Sequence, residues 1–311
     1  MTRRPTLPEN AWLRAMPAVF VLIWSTGFIV ARYGMPHAPP MSFLAIRYAL
    51  SVLCFLPWIV IARVRWPNNR MQILHLAVTG VLMHAGYLGG LWAAVKAGMG
   101  SGLSALIVGM QPVLTAIWLS GVAGQHVSRR QWLGLLLGFA GLVLVLSRKF
   151  DVGGAGQIGD VANGLNLSFA VLALLSITAG TLYQKRFLQP CDVRTANTVQ
   201  LLAALLVTLP LALLETETMR WQMLDGSLNG QLVGAMAWSV LGLTLGGSSL
   251  LYLLIQRGAA TSVTGLMYLV PPCTAMMAWL LFAEPVTWVT LAGTALTAFG
   301  VSLVVRIHKR A

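Results

Sequence analysis

Apolar runs of about 20 residues follow one another along the 311-residue chain, with only short polar breaks between them. The hydrocarbon core of a membrane is about 30 Å thick, and an α-helix needs about 20 apolar residues to cross it. Only 9% of the residues are charged, whereas soluble proteins carry about 25%. The runs are continuous rather than alternating, which argues against a transmembrane β-barrel. The pattern therefore predicts an all-α polytopic membrane protein.

Ten helices fit this pattern, with short connections between them. They are expected at residues 12–34, 41–62, 71–96, 100–121, 130–148, 162–187, 196–214, 231–256, 259–282 and 286–306. With the amino terminus inside, fifteen of the 21 basic residues fall on the cytoplasmic side and five on the outer side, while Arg47 lies within the second helix. Because cytoplasmic loops are enriched in Lys and Arg, both termini are expected on the cytoplasmic side of the membrane.

An internal repeat divides the chain into two halves. Residues 86–115 align without a gap on residues 246–275, so that Gly86 matches Gly246 and Pro112 matches Pro272. The repeat predicts two units, residues 12–148 and 162–306, with five helices each. Five is an odd number, so the second unit enters the membrane in the opposite direction to the first. Such inverted repeats are the architecture of alternating-access carriers.

The net charge of +13 does not point to nucleic acid, because the basic residues sit at helix ends rather than in one stripe. Cys54, Cys191 and Cys273 are scattered, without the spacing of a metal site. We therefore expect no metal, cofactor or catalytic residue. The expected partners are a small-molecule substrate and membrane lipid, and the protein is expected to be a monomer or weak homodimer. A channel and an intramembrane enzyme remain less favoured alternatives.

Polar and aromatic side chains recur at three- and four-residue steps on otherwise apolar helices, which predicts a central cavity. The candidate substrate-binding residues are Trp24, His84, Tyr87, Trp92, Ser104, Gln111, Ser249, Tyr252, Gln256, Thr264 and Tyr268. Aromatic rings stack on a ring of the substrate, and the polar groups bond its carboxylate and amine. The alternative is that the Ser and Thr hydroxyls bond their own backbone or a neighbouring helix.

Glycine and proline residues mark candidate hinges or gates in the repeated helices. They are Gly86, Gly89, Gly90, Pro112, Gly246, Gly247, Pro271 and Pro272. Proline removes a backbone hydrogen bond and bends a helix. The alternative is that the glycines only let helices pack closely, and for Gly134 and Gly138 close packing is the favoured interpretation.

All eight acidic residues lie in loops or at helix ends in this assignment. A proton relay usually needs an ionisable group within the membrane. The sequence therefore favours facilitated movement over proton exchange, with His84 and Glu284 as the two possible exceptions.

Three segments resemble a known family: residues 23–34 (IWSTGFIVARYG), the stretch FLAIRYAL around Arg47, and residues 282–305 (FAEPVTWVTLAGTALTAFGVSLVV). They look like the EamA repeats of the drug/metabolite transporter superfamily. The family's acidic residue at the end of the fourth helix of a repeat matches Glu284, whereas the first half has Gln125 there.

Within the superfamily, the chain is most similar to bacterial exporters of aromatic amino acids of the YddG type. The resemblance implies a carrier in the bacterial inner membrane that exports aromatic and other neutral amino acids. Export of threonine-type amino acids, of other metabolites or of organic cations is the alternative. A cation exporter is expected to place a carboxylate in its cavity, and the sequence assignment puts none there.

Overall fold

A computed structural model of the protein describes residues 11–122, 128–150, 162–254, 269–283 and 286–305. These ranges are almost entirely helical, and their consecutive segments form ten helices, as predicted. The helices are α1 (Ala11–Gly34), α2 (Pro40–Ile61), α3 (Arg70–Lys96), α4 (Ser101–Val108 and Gln111–Val122), α5 (Arg129–Phe150), α6 (Gly164–Phe187), α7 (Val193–Leu213), α8 (Gly230–Trp238, Ser239–Ser248 and Ser249–Leu254), α9 (Val270–Phe282) and α10 (Trp288–Val305).

Helix starts follow local sequence signals. Asn163 and Asn166 form a capping box at the start of α6, each side chain accepting from the backbone N–H of the other. Asp192 caps α7 and Asn229 caps α8 in the same chemical way. A proline, Pro40, opens α2, where its missing N–H costs nothing. These caps satisfy donors that a membrane boundary would otherwise leave unpaired.

Five of the described helices, α2, α3, α6, α7 and α8, are long and apolar enough to cross a membrane, and shorter apolar stretches of 10–17 residues lie in the other five. Large apolar side chains cover the outside of the bundle; Leu206 and Leu213, for example, are 75% and 78% exposed. An exposed apolar surface of this extent fits lipid rather than water.

The helix packing has an approximate twofold pattern that exchanges the two halves. α2 packs on α7 and α5 packs on α10, each helix on its own counterpart. Likewise, α3 packs on α6, and α8, the counterpart of α3, packs on α1, the counterpart of α6. Glycines permit the α5–α10 contact: a Cβ on Gly300 would lie 2.4 Å from the backbone nitrogen of Gly138 and 2.5 Å from the carbonyl oxygen of Gly134. This agrees with a packing role for Gly134 and Gly138.

Contacts between the connections define two ends of the bundle. At the Lys96 end, the end of α3 contacts the α1–α2 and α7–α8 connections. At the His75 end, Gln72 near the start of α3 contacts Gln189 in the α6–α7 connection. Successive helices therefore run in alternating directions. Since each half has five helices, α1 and α6 run in opposite directions, which is the geometry of an inverted repeat.

A short π-helical segment interrupts α3 and α8 at equivalent positions. In α3 it is Val81–Gly86, and in α8 it is Ser239–Ser248. The repeat offset of 160 residues carries the first segment onto residues 241–246, inside the second. π-helical segments widen a helix locally and are frequent at functional sites. The apolar pattern had indicated continuous helices there and gave no sign of them.

Candidate functional site

A cavity lies between two walls of helices near the middle of the bundle. α1 and α8 form one wall, α3 and α6 the other, and α2 and α7 complete the lining. The space that the centres of water molecules can reach is about 80 Å³, enough for several waters. Both π-helical segments contribute, through Met83 and His84 in α3 and through Leu243 and Ser248 in α8. Both halves of the chain therefore build the cavity.

Arg47 brings a positive charge to the cavity from α2. The residue is only 5% exposed, and its Nε donates a hydrogen bond of 3.1 Å to Thr244 Oγ1 in the π-helical segment of α8. Its guanidinium carbon lies 5.9 Å from the centre of the Trp92 ring, within the range of a cation–π contact. Arginine stays protonated in proteins, so the cavity contains a fixed cation.

Gln200 occupies the corresponding position on α7. It lines the cavity together with His84 in the π-helical segment of α3. The backbone carbonyl of His84 accepts a hydrogen bond of 2.9 Å from the Tyr48 hydroxyl. Arg47 and Gln200 are each the eighth residue of their helix, and Thr244 follows His84 by the repeat offset of 160 residues. The Arg47–Thr244 pair and the Gln200–His84 pair therefore occupy equivalent positions in the two halves.

Aromatic rings form much of the apolar lining. Trp92 is the largest fully buried side chain of the described chain, and its ring centre lies 4.6 Å from that of Phe43. Trp24 packs against Phe20 with ring centres 5.3 Å apart. Trp24, Phe28, Tyr87 and Trp92 all line the cavity. Such surfaces stack well on a planar or aliphatic group of a ligand.

The cavity is closed toward the Lys96 end. Trp92 and Phe28, which lie toward that end, are 1% and 2% exposed, whereas His84 and Gln184 are partly exposed. Lys96 of α3 bridges the two walls, because its Nζ donates to Glu217 Oε2 at 2.6 Å and to the carbonyl of Met35 after α1 at 3.1 Å.

Further contacts close the same end. Glu215 accepts from the backbone N–H groups of Met41 and Ser42 at the start of α2, at 2.8 and 2.7 Å. At the His75 end, the described contacts His75–Tyr183 (2.8 Å) and Gln72–Gln189 (2.8 Å) join α3 to α6 and its following connection, on one wall only. The two walls are therefore tied together at the Lys96 end.

The structure brings part of the predicted substrate-binding set together. Trp24, His84, Tyr87 and Trp92 line the cavity. Ser249 adjoins the lining residue Ser248, and its buried Oγ has no hydrogen-bond partner among the described residues. The Tyr252 side chain and the whole of Gln256, Thr264 and Tyr268 lie outside the described residues.

Two predicted residues of α4 lie elsewhere. Ser104 Oγ donates to the Gly100 carbonyl one turn earlier at 2.8 Å. Gln111 Nε2 donates to Thr181 Oγ1 of α6 at 2.8 Å. Neither residue is part of the cavity lining, since the polar face of α4 bonds the backbone and a neighbouring helix. Polar side chains in membrane helices often bond their own backbone or a neighbouring helix in this way, which is the alternative to a cavity role.

The candidate hinge residues lie mostly in close helix contacts. A Cβ on Gly86 would lie 2.7 Å from Ser176 Oγ, and one on Gly90 would lie 2.7 Å from the Phe169 carbonyl, both on α6. A Cβ on Gly89 would lie 3.4 Å from Met41, at the limit of ordinary van der Waals contact. One on Gly247 would lie 3.2 Å from Ile23, which is tighter than usual. Gly246 matches Gly86, the last residue of the π-helical segment of α3, and lies within the longer π-helical segment of α8.

The candidate prolines sit in α4 and α9. A Cβ on Gly109 of α4 would lie 2.9 Å from Pro271 of α9, so the helices cross closely there. Pro112 lies in the first turn of the second α4 segment, and Pro271 and Pro272 lie in the first turn of the described part of α9. The crossing therefore lies where both helices carry proline.

Sequence reasoning missed several cavity residues: Arg47, Gln184, Asn197, Gln200 and the Arg47 acceptor Thr244. A signal existed for Arg47, because it is a lone charge inside an apolar run, and such residues are functional candidates by default. The amides gave a weaker signal, since the Gln and Asn residues of α6 and α7 lie near the helix ends, where polar residues are common.

Comparison with known proteins agrees with this architecture. The model of the EamA-like transporter family matches the chain twice, over residues 15–147 and 165–306. A "Probable amino-acid metabolite efflux pump" of Salmonella typhimurium is 25% identical over 289 residues, which cover 90% of each chain. An "Uncharacterized transporter" of Archaeoglobus fulgidus is 20% identical over 290 residues, 93% of this chain and 97% of the relative.

A solved crystal structure 16% identical in sequence covers 95% of this chain and 98% of its own, with a TM-score of 0.65, and so shares the fold. The twice-matched family model, the paired five-helix halves and the cavity between them converge on one assignment. The chain belongs to the EamA-like transporter family and is a membrane transporter.

Proposed function

We propose that this protein is an inner-membrane carrier that exports small amphipathic metabolites, with aromatic and other neutral amino acids as the favoured substrates. The observation that carries the proposal is the cavity that both halves line, where aromatic rings, a cation and side-chain amides meet. A free amino acid needs these kinds of partner: an apolar surface for its side chain and polar groups for its charged end. The relative from Salmonella typhimurium, whose printed name is an amino-acid metabolite efflux pump, supports the same substrate class.

The proposed mechanism is alternating access. The Lys96 end is tied across the two walls, whereas the described contacts at the His75 end stay on one wall. With both termini in the cytoplasm, as the distribution of basic residues favours, the His75 end is the cytoplasmic one. The cavity then faces the compartment from which an exporter loads its substrate.

Movement is proposed to be facilitated rather than driven by protons. The four described carboxylates all lie away from the cavity and have partners of their own: Asp192 binds Arg194, Glu215 the start of α2, Glu217 Lys96, and Asp225 Ser227. The described cavity lining contains three titratable side chains, those of Arg47, Tyr87 and His84. Of these, histidine is the one that ordinarily titrates near neutral pH. Glu284 lies outside the described residues.

Export of organic cations is the weaker alternative. Arg47 repels a cation, and no described carboxylate lines the cavity to attract one. Other metabolites that combine an apolar part with an anionic group remain compatible with the same lining.

Counterflow into proteoliposomes tests the proposal. Vesicles loaded with unlabelled tryptophan are expected to accumulate labelled tryptophan, saturably and without an imposed pH gradient. Trp92→Ala is expected to remove most of this flux, because it strips the cavity wall, while Trp132→Ala on the exposed face of α5 serves as the matched control. Absence of counterflow for every amino acid in a panel would overturn the proposal, and accumulation that follows an imposed proton gradient would overturn its facilitated mechanism.

A further inference from the structure

We propose that Arg47 binds the carboxylate of the transported molecule and thereby makes the carrier selective for acids over their uncharged or cationic analogues. The proposal rests on the proposed function, since it names the group that recognises the substrate in the same cavity.

The charge of Arg47 has no counterion in the described part of the chain. The residue is 5% exposed, and all four described carboxylates bind other groups. Burying an unpaired charge is costly in a low-dielectric environment. A bound anion removes much of that cost, so the empty cavity favours a ligand with a negative group.

The donors of Arg47 are mostly unused. A guanidinium carries five N–H donors, and within the described chain Nε alone has a hydrogen-bond partner, Thr244 Oγ1 at 3.1 Å. The remaining four N–H groups belong to the two terminal nitrogens of a side chain that lines the cavity. Two parallel N–H groups match the two oxygens of a carboxylate, which gives a short and directional contact.

The surroundings of Arg47 fix where the carboxylate and the apolar part of a ligand go. Thr244 holds the guanidinium from α8, and Trp92 lies against it with 5.9 Å between the guanidinium carbon and the ring centre. The counterpart of Arg47 in the other half is the neutral Gln200. The described lining therefore offers one anion-binding position, and a ligand with a single carboxylate binds in one orientation.

A purely structural role for Arg47 is the competing explanation. In that case the residue only ties α2 to α8, and its loss weakens the fold and every ligand equally. Selectivity among ligands separates the two explanations, because a structural role changes stability but not the preference for a carboxylate.

The test measures binding of three probes to the purified full-length protein in detergent: tryptophan, tryptophanamide and indole-3-propionate. The wild type is expected to bind the two carboxylates at least about tenfold more tightly than the amide, as a charge-assisted contact predicts. Arg47→Gln is expected to weaken both carboxylates by about 10- to 100-fold and to leave the amide within about twofold. Arg65→Gln, in the exposed α2–α3 connection, is the control and should change none of the three.

Arg47→Lys is a second variant that keeps the proposal testable if Arg47→Gln does not fold. It keeps the charge but loses the paired N–H groups, so carboxylate binding is expected to weaken by less than with glutamine, again without a change for the amide. Equal weakening of all three probes, or unchanged preference for carboxylates, would overturn the assignment of Arg47 alone. Wild-type protein that binds none of the three would overturn the proposed function and this assignment together.

Discussion

The two halves of the cavity place different chemistry at equivalent positions. In one, Arg47 of α2 donates a hydrogen bond to Thr244 in the π-helical segment of α8; in the other, Gln200 of α7 and His84 in the π-helical segment of α3 both line the cavity. The first pair holds a fixed positive charge, and the second pair has a neutral amide in place of the arginine. In the proposed mechanism, the inverted repeat supplies two similar frameworks that exchange shape, and the residues that differ between them distinguish the substrate.

The two helix pairs, α3 with α7 and α2 with α8, also differ in how closely their backbones approach. Gly80 of α3 lies against α7 so tightly that a Cβ on it would be 2.2 Å from the Gln200 carbonyl oxygen. The equivalent position in α8, 160 residues later, is Val240, a buried side chain. The α3–α7 contact is therefore made by backbone, and the α2–α8 contact by side chains.

The largest effect is expected from a methyl group at the tighter contact. Gly80→Ala forces α3 and α7 apart, and overpacking of this kind costs about 3 kcal/mol. Thermal unfolding of the purified protein in detergent measures it as a lowered midpoint. Gly234→Ala in α8, where a Cβ meets no atom within 4 Å among the described residues, is the matched control and should leave the midpoint unchanged or raise it. Equal midpoints for both variants would refute the backbone contact.

A smaller effect is expected at the side-chain contact. Thr244→Val keeps the shape of the residue but removes the acceptor of Arg47 Nε and the 2.9 Å hydrogen bond that Thr244 Oγ1 donates to the Ser239 carbonyl. Stability is expected to fall by about 1.5–3 kcal/mol, the range for a hydrogen bond to a charged group. Thr208→Val is the control, because Thr208 Oγ1 is buried without a hydrogen-bond partner among the described residues, and its loss should cost nothing. If both variants unfold at the same midpoint, the Arg47–Thr244 bond does not stabilise the protein.

His84→Gln sharpens the comparison by making the His84 position of the cavity permanently neutral. Glutamine preserves a hydrogen-bonding side chain opposite Gln200, so counterflow is expected to change by less than about twofold. Its dependence on pH between about 5.5 and 8, the range in which histidine ordinarily titrates, should match that of the wild type. Loss of a pH dependence that the wild type possesses would show that His84 takes part in proton movement.

The smallest effect is expected from the ion pair between Lys96 and Glu217 at the Lys96 end of the bundle. Lys96 lowers the pKa of the Glu217 carboxyl by hydrogen bonding and by its charge. Because the pKa of Glu217 is lower in the folded protein than in the unfolded chain, the ion pair stabilises the protein fully above the unfolded-state pKa of Glu217. This stabilisation is lost as the pH falls through the folded-state pKa of Glu217. The side chains are 29% and 60% exposed, so the contribution is under about 1 kcal/mol. Unfolding midpoints of wild type and Glu217→Gln should differ slightly at neutral pH and converge in acid; a constant difference would contradict the pair.

The helices could be predicted from the sequence because membrane crossing imposes a length and a composition that ten apolar runs satisfy. The repeat at Gly86 and Gly246 similarly indicated which helices form counterparts. The π-helical segments escaped prediction, because an extra residue per turn leaves the apolar composition of α3 and α8 unchanged. They rotate the residues that follow, and so decide which side chains face the cavity.

The candidate site could be predicted only in part for a related reason. Trp24, His84, Tyr87 and Trp92 combine a mid-membrane position with a large or polar side chain, which a sequence reveals. Ser104 and Gln111 have the same polarity but bond the Gly100 carbonyl and Thr181, and periodicity does not distinguish these partners from a cavity. Arg47 and Gln200 became a pair only when the helix starts placed them at equivalent positions.

The central claim is that this cavity opens alternately to the two sides of the membrane. A single cysteine at Ser248→Cys, in a variant without the native cysteines Cys54, Cys191 and Cys273, tests it with a membrane-impermeant thiol reagent applied to either face of sealed vesicles. The account predicts labelling from both faces, with saturating tryptophan slowing it from each. Labelling from one face alone, unaffected by any amino acid, would contradict it.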